Sequence, residues 1–472
     1  MIAATPKGRT ARADDPVGPQ FDPARYPTPA MGWLTVAVLF VLYILSLIDR
    51  NMMALMVEPI KADLQLSDFQ ISLLLGPAFG IFFCLCAVPI GIALDRFSRR
   101  WVLFCSVVLW SLAAASCGMG MSFGALFVSR ALVGAGESGL STGSYSIVGD
   151  SFPPHRVSLA MSVLMMGGVM GAGFVFLIGG PIVAAVMAGG ASAWPILGVL
   201  QPWQKTFILT GAPGLLFAFL VFVFREPPRQ GDASASNADK SYRDVRVYLG
   251  ANRMLFTAIF LGFGLTYAGT IGSQLWTPTY FARIHGWDPA RIGVVLGVTH
   301  VVAAALMPLH GWGADRLFQR GLRDAHMLWS LVAVLCALPC GLAAYFATDP
   351  RLAVLFYGLF MSFILATASM GAAVTQIASP SRLRGRVSAL YVLTIGLIAM
   401  AGGPSLVGFM STRVLGDDRL IGVALALSLL CVLVPAIVLF ALGRKPANRA
   451  IEGLTGGNVD RAARTAQRTQ GV

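Results

Sequence analysis

Residues 130–139 read RALVGAGESG. Gly134, Gly136 and Gly139 spell G-x-G-x-x-G there, the spacing that cradles a pyrophosphate in dinucleotide-binding enzymes. That reading requires a strand before the glycines, a helix opening at them, and an acidic residue about 20 positions on. Here FGALFVSRALV precedes and LSTGSYSIVG follows in one unbroken segment, and position 156 is an arginine. Gly136-Glu137-Ser138-Gly139 also lacks the glycine spacing of a hydrolase nucleophile elbow. The stretch reads instead as a membrane helix that carries two charges, with glycines that let it pack closely on a neighbour.

Composition supports the membrane. The chain has 472 residues, 56% hydrophobic and 12% charged, with a mean hydropathy of +0.73. Soluble chains carry roughly a quarter charged residues, so this one has too few to cover a water-facing surface. Apolar runs of about 20 residues, enough to cross a bilayer as helix, recur along the chain. They fall at 33–57, 69–94, 100–120, 123–149, 154–187 and 204–224, then at 253–283, 289–313, 324–347, 351–378, 385–412 and 419–443. The expected fold is an all-α membrane protein of twelve transmembrane helices in two six-helix halves, 33–224 and 253–443. Span 154–187 is long enough to tilt or to continue past the lipid.

Between the halves, 225–252 is rich in Pro, Ser and charge and reads as a linker. Six prolines precede Trp33, and residues 1–32 form a polar tail with no apolar core of a removable signal peptide. Residues 444–472 read as a polar, basic, mobile tail. With both termini cytoplasmic, the tails, linker and same-side loops hold 26 of the 35 Lys and Arg. The opposite face holds Lys61, Lys205, Arg283, Arg291, Arg351, Arg413 and Arg419. The net charge of +13 thus reflects topology in the cell membrane, and no aromatic-interleaved basic patch suggests nucleic acid. Cys84-x-Cys86 and Cys336-x-x-x-Cys340 stand in apolar spans without His or carboxylate neighbours, so they read as buried fillers, with no metal and no cofactor expected.

The halves repeat. GIALDRFSRR follows the second span and GWGADRLFQR the eighth, and both contain G-x-x-x-D-R-x-x-x-R. Gly91, Asp95, Arg96 and Arg100 correspond to Gly311, Asp315, Arg316 and Arg320 at a constant offset of 220. HRVSLA around Arg156 echoes GRVSAL around Arg386. Parallel repeats of this kind alternate access around a midplane site. The loop resembles the signature of the major facilitator superfamily, whose usual form has glycine where this chain has Ser98. Within it, LIDRNMMALMVEPIKADLQLSDFQISLL, GIALDRFSRR and RALVGAGESGLSTGSYSIVGDSFPPHR are similar to the Spinster family of lipid-type transporters. That likeness runs from Leu47 to Arg156, whereas the second half resembles only the superfamily. It implies a bacterial member, lysophospholipid or sphingoid-phosphate substrates, and working roles for Asp49, Arg50, Arg130 and Glu137.

Those four charges also stand out on physical grounds. An ionised residue at bilayer depth costs about 2.5–3.5 kcal/mol on insertion scales, so it needs a partner or a wet cavity. Helix rise puts Asp49 and Arg50 about 10–12 Å from the outer end of the first span. Arg130 lies at similar depth on the fourth span, and Glu137 two turns deeper. The expected pairs are Asp49 with Arg130 and Arg50 with Glu137. A bland reading makes these static ties between helices. Arg130, Glu137, Ser141 and Ser144 nevertheless follow one another at seven, four and three residues, a polar stripe that suits a water-filled cavity.

In the second half, Thr266, Thr270, Ser273, Gln274 and Thr277 share a broad face of the seventh span. Ser362, Ser369 and Gln376 recur every seven residues on the tenth. A cavity charged on one wall and neutral on the other suits an amphiphile with an ionic head. His300 and His310 read as structural. Asp95 and Asp315 read as a cytoplasmic gate with Gly91, Arg96, Arg100 and Arg316, each carboxylate capping a helix and pairing with arginine.

Together these features suggest a monomeric, proton-coupled secondary transporter of a lipid-like substrate, with Glu137 shedding its arginine when protonated. The rival on the same fold carries small organic anions or drugs. A membrane enzyme would need a nucleophile or metal cluster near the interface, which the sequence lacks. No G-x-x-x-x-G-K-[ST] loop supports a self-contained ATP-driven pump. The topology is directly testable: tags at either terminus and a cysteine in 225–250 should resist impermeant reagents in intact cells, and labelling from outside overturns the orientation.

Overall fold

The computed structural model describes residues 26–194, 198–229, 238–380 and 383–470. It is almost wholly helical. The membrane helices of the first half are α1 (Pro29–Leu55), α2 (Asp68–Arg96), α3 (Arg99–Cys117), α4 (Phe123–Ser151), α5 (Pro154–Ala188) and α6 (Pro202–Phe222). Those of the second are α7 (Arg253–His285), α8 (Pro289–Gln319), α9 (Ala325–Phe346), α10 (Pro350–Ile377), α11 (Arg384–Leu415) and α12 (Ile421–Gln470). Eleven of these segments are long and apolar enough to cross a membrane. The other is α4, whose Arg130, Glu137 and many glycines and serines dilute its hydropathy.

Local chemistry sets the ends and breaks of these helices. Ser67 and Gln70 form a reciprocal capping box at the start of α2. Pro77 disfavours helical backbone at Gly76, and α2 breaks there (φ −110°, ψ −86°) before continuing. Between α5 and α6, β1 (Ser192–Trp194) and β2 (Gly198–Leu200) form a small antiparallel hairpin that pairs Ser192 with Leu200. The linker includes a helix, Ala238–Ala251, that buries Val245 and donates the Tyr248 hydroxyl to the Ala378 carbonyl at 2.7 Å. The expected mobile tail is helix too: α12 continues through Gln470. Most of the N-terminal tail lies outside the described residues.

Apolar packing joins the halves at one end. One buried cluster runs through the second half and takes in Met52, Ile60, Ile71, Leu74 and Phe176 of the first. A separate cluster, including Leu39, Val107, Trp110 and Leu164, fills the rest of the first half. Where α5 meets α8, glycines remove the side chains that would hold the backbones apart. A Cβ on Gly180 would lie 2.5 Å from the Pro289 carbonyl oxygen and 2.7 Å from the Gly293 Cα. The α2–α11 contact is equally close, with a Cβ on Gly76 falling 2.7 Å from the Met400 oxygen. That oxygen belongs to a π-turn, Ile398–Gly402, which widens α11 opposite the α2 break.

Gly180→Val should therefore prevent the far ends of α5 and α8 from meeting. Spin-label distances between those ends should lengthen by several ångströms relative to the unmodified chain. An unchanged distance distribution would mean that this contact does not govern the closed arrangement.

Candidate functional site

The charges of α1 and α4 meet inside the first half, in part as their depths predict. Arg50 Nη2 donates to Glu137 Oε2 at 2.6 Å, and the Ser46 hydroxyl donates to the same oxygen at 2.9 Å. The Arg50 guanidinium lies 4.4 Å from the Phe79 ring centroid and 5.4 Å from that of Phe83. Glu137 is fully buried, whereas the Arg50 side chain retains 23% of its exposure. Glu137 Oε1 and Arg50 Nε have no hydrogen-bond partner among the described residues.

The second expected pair forms differently. Arg130 is buried and donates to main-chain carbonyls: Leu74 at 3.4 Å, Asp49 at 3.3 Å and Arg50 at 3.4 Å. The Asp49 carboxylate turns away toward the Trp110 indole of α3 without reaching hydrogen-bond geometry. Arg130 thus ties α4 to α1 and α2 through their backbones. Its glycines bring α4 against α3 as well: a Cβ on Gly136 would lie 2.7 Å from the main-chain nitrogen of Trp110.

The cavity-lining set divides by exposure. Ser144 is buried with its hydroxyl unpartnered among the described residues, and Ser141 is half-buried. Thr266, Thr270 and Thr277 donate to carbonyls of their own helix, as hydroxyls in apolar helices commonly do. Ser273 is buried, and Gln274 Nε2 donates to Asn51 Oδ1 at 3.3 Å, joining α7 to α1. Ser362 is buried, whereas Ser369 and Gln376 are exposed on α10. Three tyrosines absent from the expected set interact with one another, and one of them with Arg50. Tyr145 of α4 shares a hydrogen bond with Tyr43 of α1, and Tyr267 of α7 lies near both Tyr43 and Arg50.

An ionic cluster at the face opposite the linker was not foreseen at all. Asp68, whose side chain is fully buried, accepts two bonds from Arg283 at 2.7 and 2.8 Å. It also accepts from Lys61 at 2.7 Å and from the Ser411 hydroxyl at 2.6 Å. Arg283 reaches Glu58 at 2.7 Å, and Lys61 pairs with Asp418. The main-chain amide of Phe69 donates to Thr412 Oγ1 at 2.9 Å. Glu58, Lys61, Asp68 and Phe69 belong to the first half and the other partners to the second, so the cluster clamps the halves together. Counting basic residues assigned Lys61 and Arg283 to topology, and the sequence reading did not single out Asp68.

The expected gate residues do not make such a clamp here. Asp95 and Arg96 are exposed, and the Asp95 carboxylate has no polar partner among the described residues. The loop is instead held within its own half. Arg99 bonds Asp150 and Glu226, Arg100 caps α6 through the Val221 and Phe222 carbonyls, and Arg229 caps α2 through those of Leu94, Asp95 and Phe97. Ser98, with φ −61°, adopts an ordinary backbone conformation without glycine, and its hydroxyl donates to Glu226 at 2.6 Å. Partial burial alone would push the Glu226 carboxyl up, but its hydrogen bonds from Ser98 and Arg99 hold it below the usual carboxylate range. A Cβ on Gly91 would meet open space. Asp315 accepts from His326 at 3.3 Å, and Arg316 lies over Trp312.

Residues 39–404 match the sequence profile of the Major Facilitator Superfamily. A hexuronate transporter of Bacillus subtilis is 27% identical over 390 residues, covering 79% of this chain and 87% of that protein. A sphingosine-1-phosphate transporter of Xenopus tropicalis is 24% identical over 412 residues, covering 82% and 76% respectively. A crystal structure of a bacterial homologue of the human lysosomal transporter Spinster, inward-facing and unoccupied, superposes with a TM-score of 0.74. It is 22% identical, and the match covers 91% of this chain and 98% of that one.

Asp68→Asn should weaken the clamp, because it removes a buried charge from a network where breaking one partner costs about 3–5 kcal/mol. Cysteines placed beneath the cluster should become more reactive to reagents applied on that face. Unchanged reactivity would show that apolar and glycine packing closes the face without the ions.

Proposed function

The chain belongs to the Major Facilitator Superfamily, and from that premise we propose that this membrane transporter carries an anionic, lipid-like amphiphile by proton-coupled alternating access. The observation that carries the reading is the Arg50–Glu137 pair, held in an apolar bundle with only the arginine partly exposed. A static tie would gain little from leaving half the pair within reach of solvent. A substrate anion and a proton can instead compete for the two partners. Protonated Glu137 releases Arg50 to bind the anion; when Glu137 gives up its proton, Arg50 returns and the anion leaves.

Asp49 and Arg130 support this pair. Arg130 fixes the backbone of Asp49 and Arg50 through its carbonyl bonds, so it positions the arginine that meets substrate. The basic-residue count places the linker face inside. With that orientation, the Asp68–Arg283 cluster is the outer gate and the described conformation is inward-facing. Asp95, Arg96, Arg100, Asp315 and Arg316 then serve the opposite conformation, in keeping with an Asp95 carboxylate that has no polar partner among the described residues while the outer face is shut. The protein works as a monomer, with both termini cytoplasmic.

The sphingosine-1-phosphate relative favours a lipid-like substrate. The hexuronate relative favours the second reading, a small organic anion carried by the same pair. Counterflow in proteoliposomes with lysolipids, sphingoid phosphates, sugar acids and cationic drugs separates the two. Exchange of sugar acids without competition from lysolipids would select the second.

Glu137→Gln imitates the protonated state while keeping a similar hydrogen-bonding shape. Accumulation driven by a pH gradient should disappear, and substrate exchange should persist. If the variant responds to pH gradients as the unmodified chain does, Glu137 does not carry the coupling proton.

A further inference from the structure

Tyr43, Tyr145 and Tyr267 form a second polar constellation, and it draws on both halves of the molecule. Helices α1 and α7 run in the same direction, and the Asn51–Gln274 hydrogen bond fixes their relative register at 3.3 Å. Tyr43 lies eight residues before Asn51 and Tyr267 seven before Gln274, so both stand about 10–12 Å from that bond toward the linker face. Seven residues also separate Tyr43 from Arg50, which puts phenol and guanidinium on one face of α1. Tyr145 stands four residues beyond Ser141 on α4, and its hydroxyl reaches that of Tyr43.

These side chains are not ordinary core aromatics. Tyr145 keeps 42% of its exposure, and Tyr43 and Tyr267 are half-buried, whereas Trp110 and Trp276 are fully buried. Tyr267 lies within electrostatic reach of both Tyr43 and Arg50, while Glu137 and the Phe79 ring occupy other sides of the guanidinium. A phenol donates a hydrogen bond well to an anion yet carries no charge of its own, so it adds no further buried ion beside Arg50 and Glu137.

We infer that Tyr43, Tyr145 and Tyr267 complete the binding site for the anionic head, with Tyr267 as the second half's contribution to head recognition. This rests on the anion-carrier reading above. The ligand chemistry is one carboxylate or phosphate that accepts charge-assisted hydrogen bonds from Arg50 and from phenols on α1, α4 and α7. An anion held in this way bridges the halves. Affinity is consequently coupled to the approach of α7 to α1, which gives substrate differential contacts in the two conformations.

The test uses the full chain in nanodiscs, with oleoyl lysophosphatidate as a phosphate head bearing a chain and galacturonate as a carboxylate without one. Tyr267→Phe keeps the ring, so folding should survive; its ligand-free thermal midpoint should match that of the unmodified chain. Its affinity for whichever probe the unmodified chain binds should fall by about tenfold, the loss expected for one hydrogen bond to a charged group. Tyr43→Phe should weaken binding in the same direction. If Tyr267→Phe binds that probe as tightly as the unmodified chain while Arg50→Ala loses it, the tyrosine assignment is overturned and the carrier reading stands. If the unmodified chain binds neither anion, the carrier reading fails and takes the assignment with it.

Discussion

A single ion pair, Arg50 with Glu137, imposes most of what surrounds it. Two charges in an apolar bundle must find each other or water. Meeting that condition fixes α1 against α4, calls for Ser46 as a second donor, and places Phe79 and Phe83 against the guanidinium face. Arg130 then secures the backbone behind Arg50. The glycines of the opening motif follow from the same need: with Gly134, Gly136 and Gly139 replaced by larger residues, α4 would stand too far from α2 and α3 for its charges to reach their partners.

The two faces of the molecule use their charges differently. Away from the linker, Asp68, Arg283, Lys61, Glu58 and Asp418 join the halves. Toward the linker, Arg99, Arg100 and Arg229 bind carbonyls and carboxylates of the first half and its connection. A buried charge network is a poor permanent glue, because its desolvation cost offsets much of its attraction. That near-balance suits a contact made and broken in each cycle. The apolar and glycine contacts of α5 with α8 then supply shape, and the ions supply a switchable part.

Helix number, the halves and the Arg50–Glu137 contact were legible in the sequence, because apolar length and helical rise are one-dimensional quantities. Side-chain direction is not. Depth alone paired Asp49 with Arg130, but the Asp49 carboxylate faces α3, and only its carbonyl meets the arginine. The Thr266, Thr270 and Thr277 hydroxyls were expected in a cavity, yet each folds back on its own helix. The Asp68 cluster escaped notice because its partners in the second half, Arg283 and Ser411, lie more than 200 residues away, and no local pattern distinguishes a gate carboxylate from a capping one. Tyr43, Tyr145 and Tyr267 were hidden for a related reason. Aromatic residues are ordinary in apolar spans, and their convergence depends on the register between α1 and α7.

The central claim is that substrate and proton compete for one buried pair. Calorimetric titration of substrate in buffers of differing ionisation enthalpy measures the protons exchanged on binding. The account predicts a non-zero exchange for the unmodified chain that vanishes in Glu137→Gln. A binding enthalpy independent of the buffer, in a chain that binds its substrate well, would contradict it.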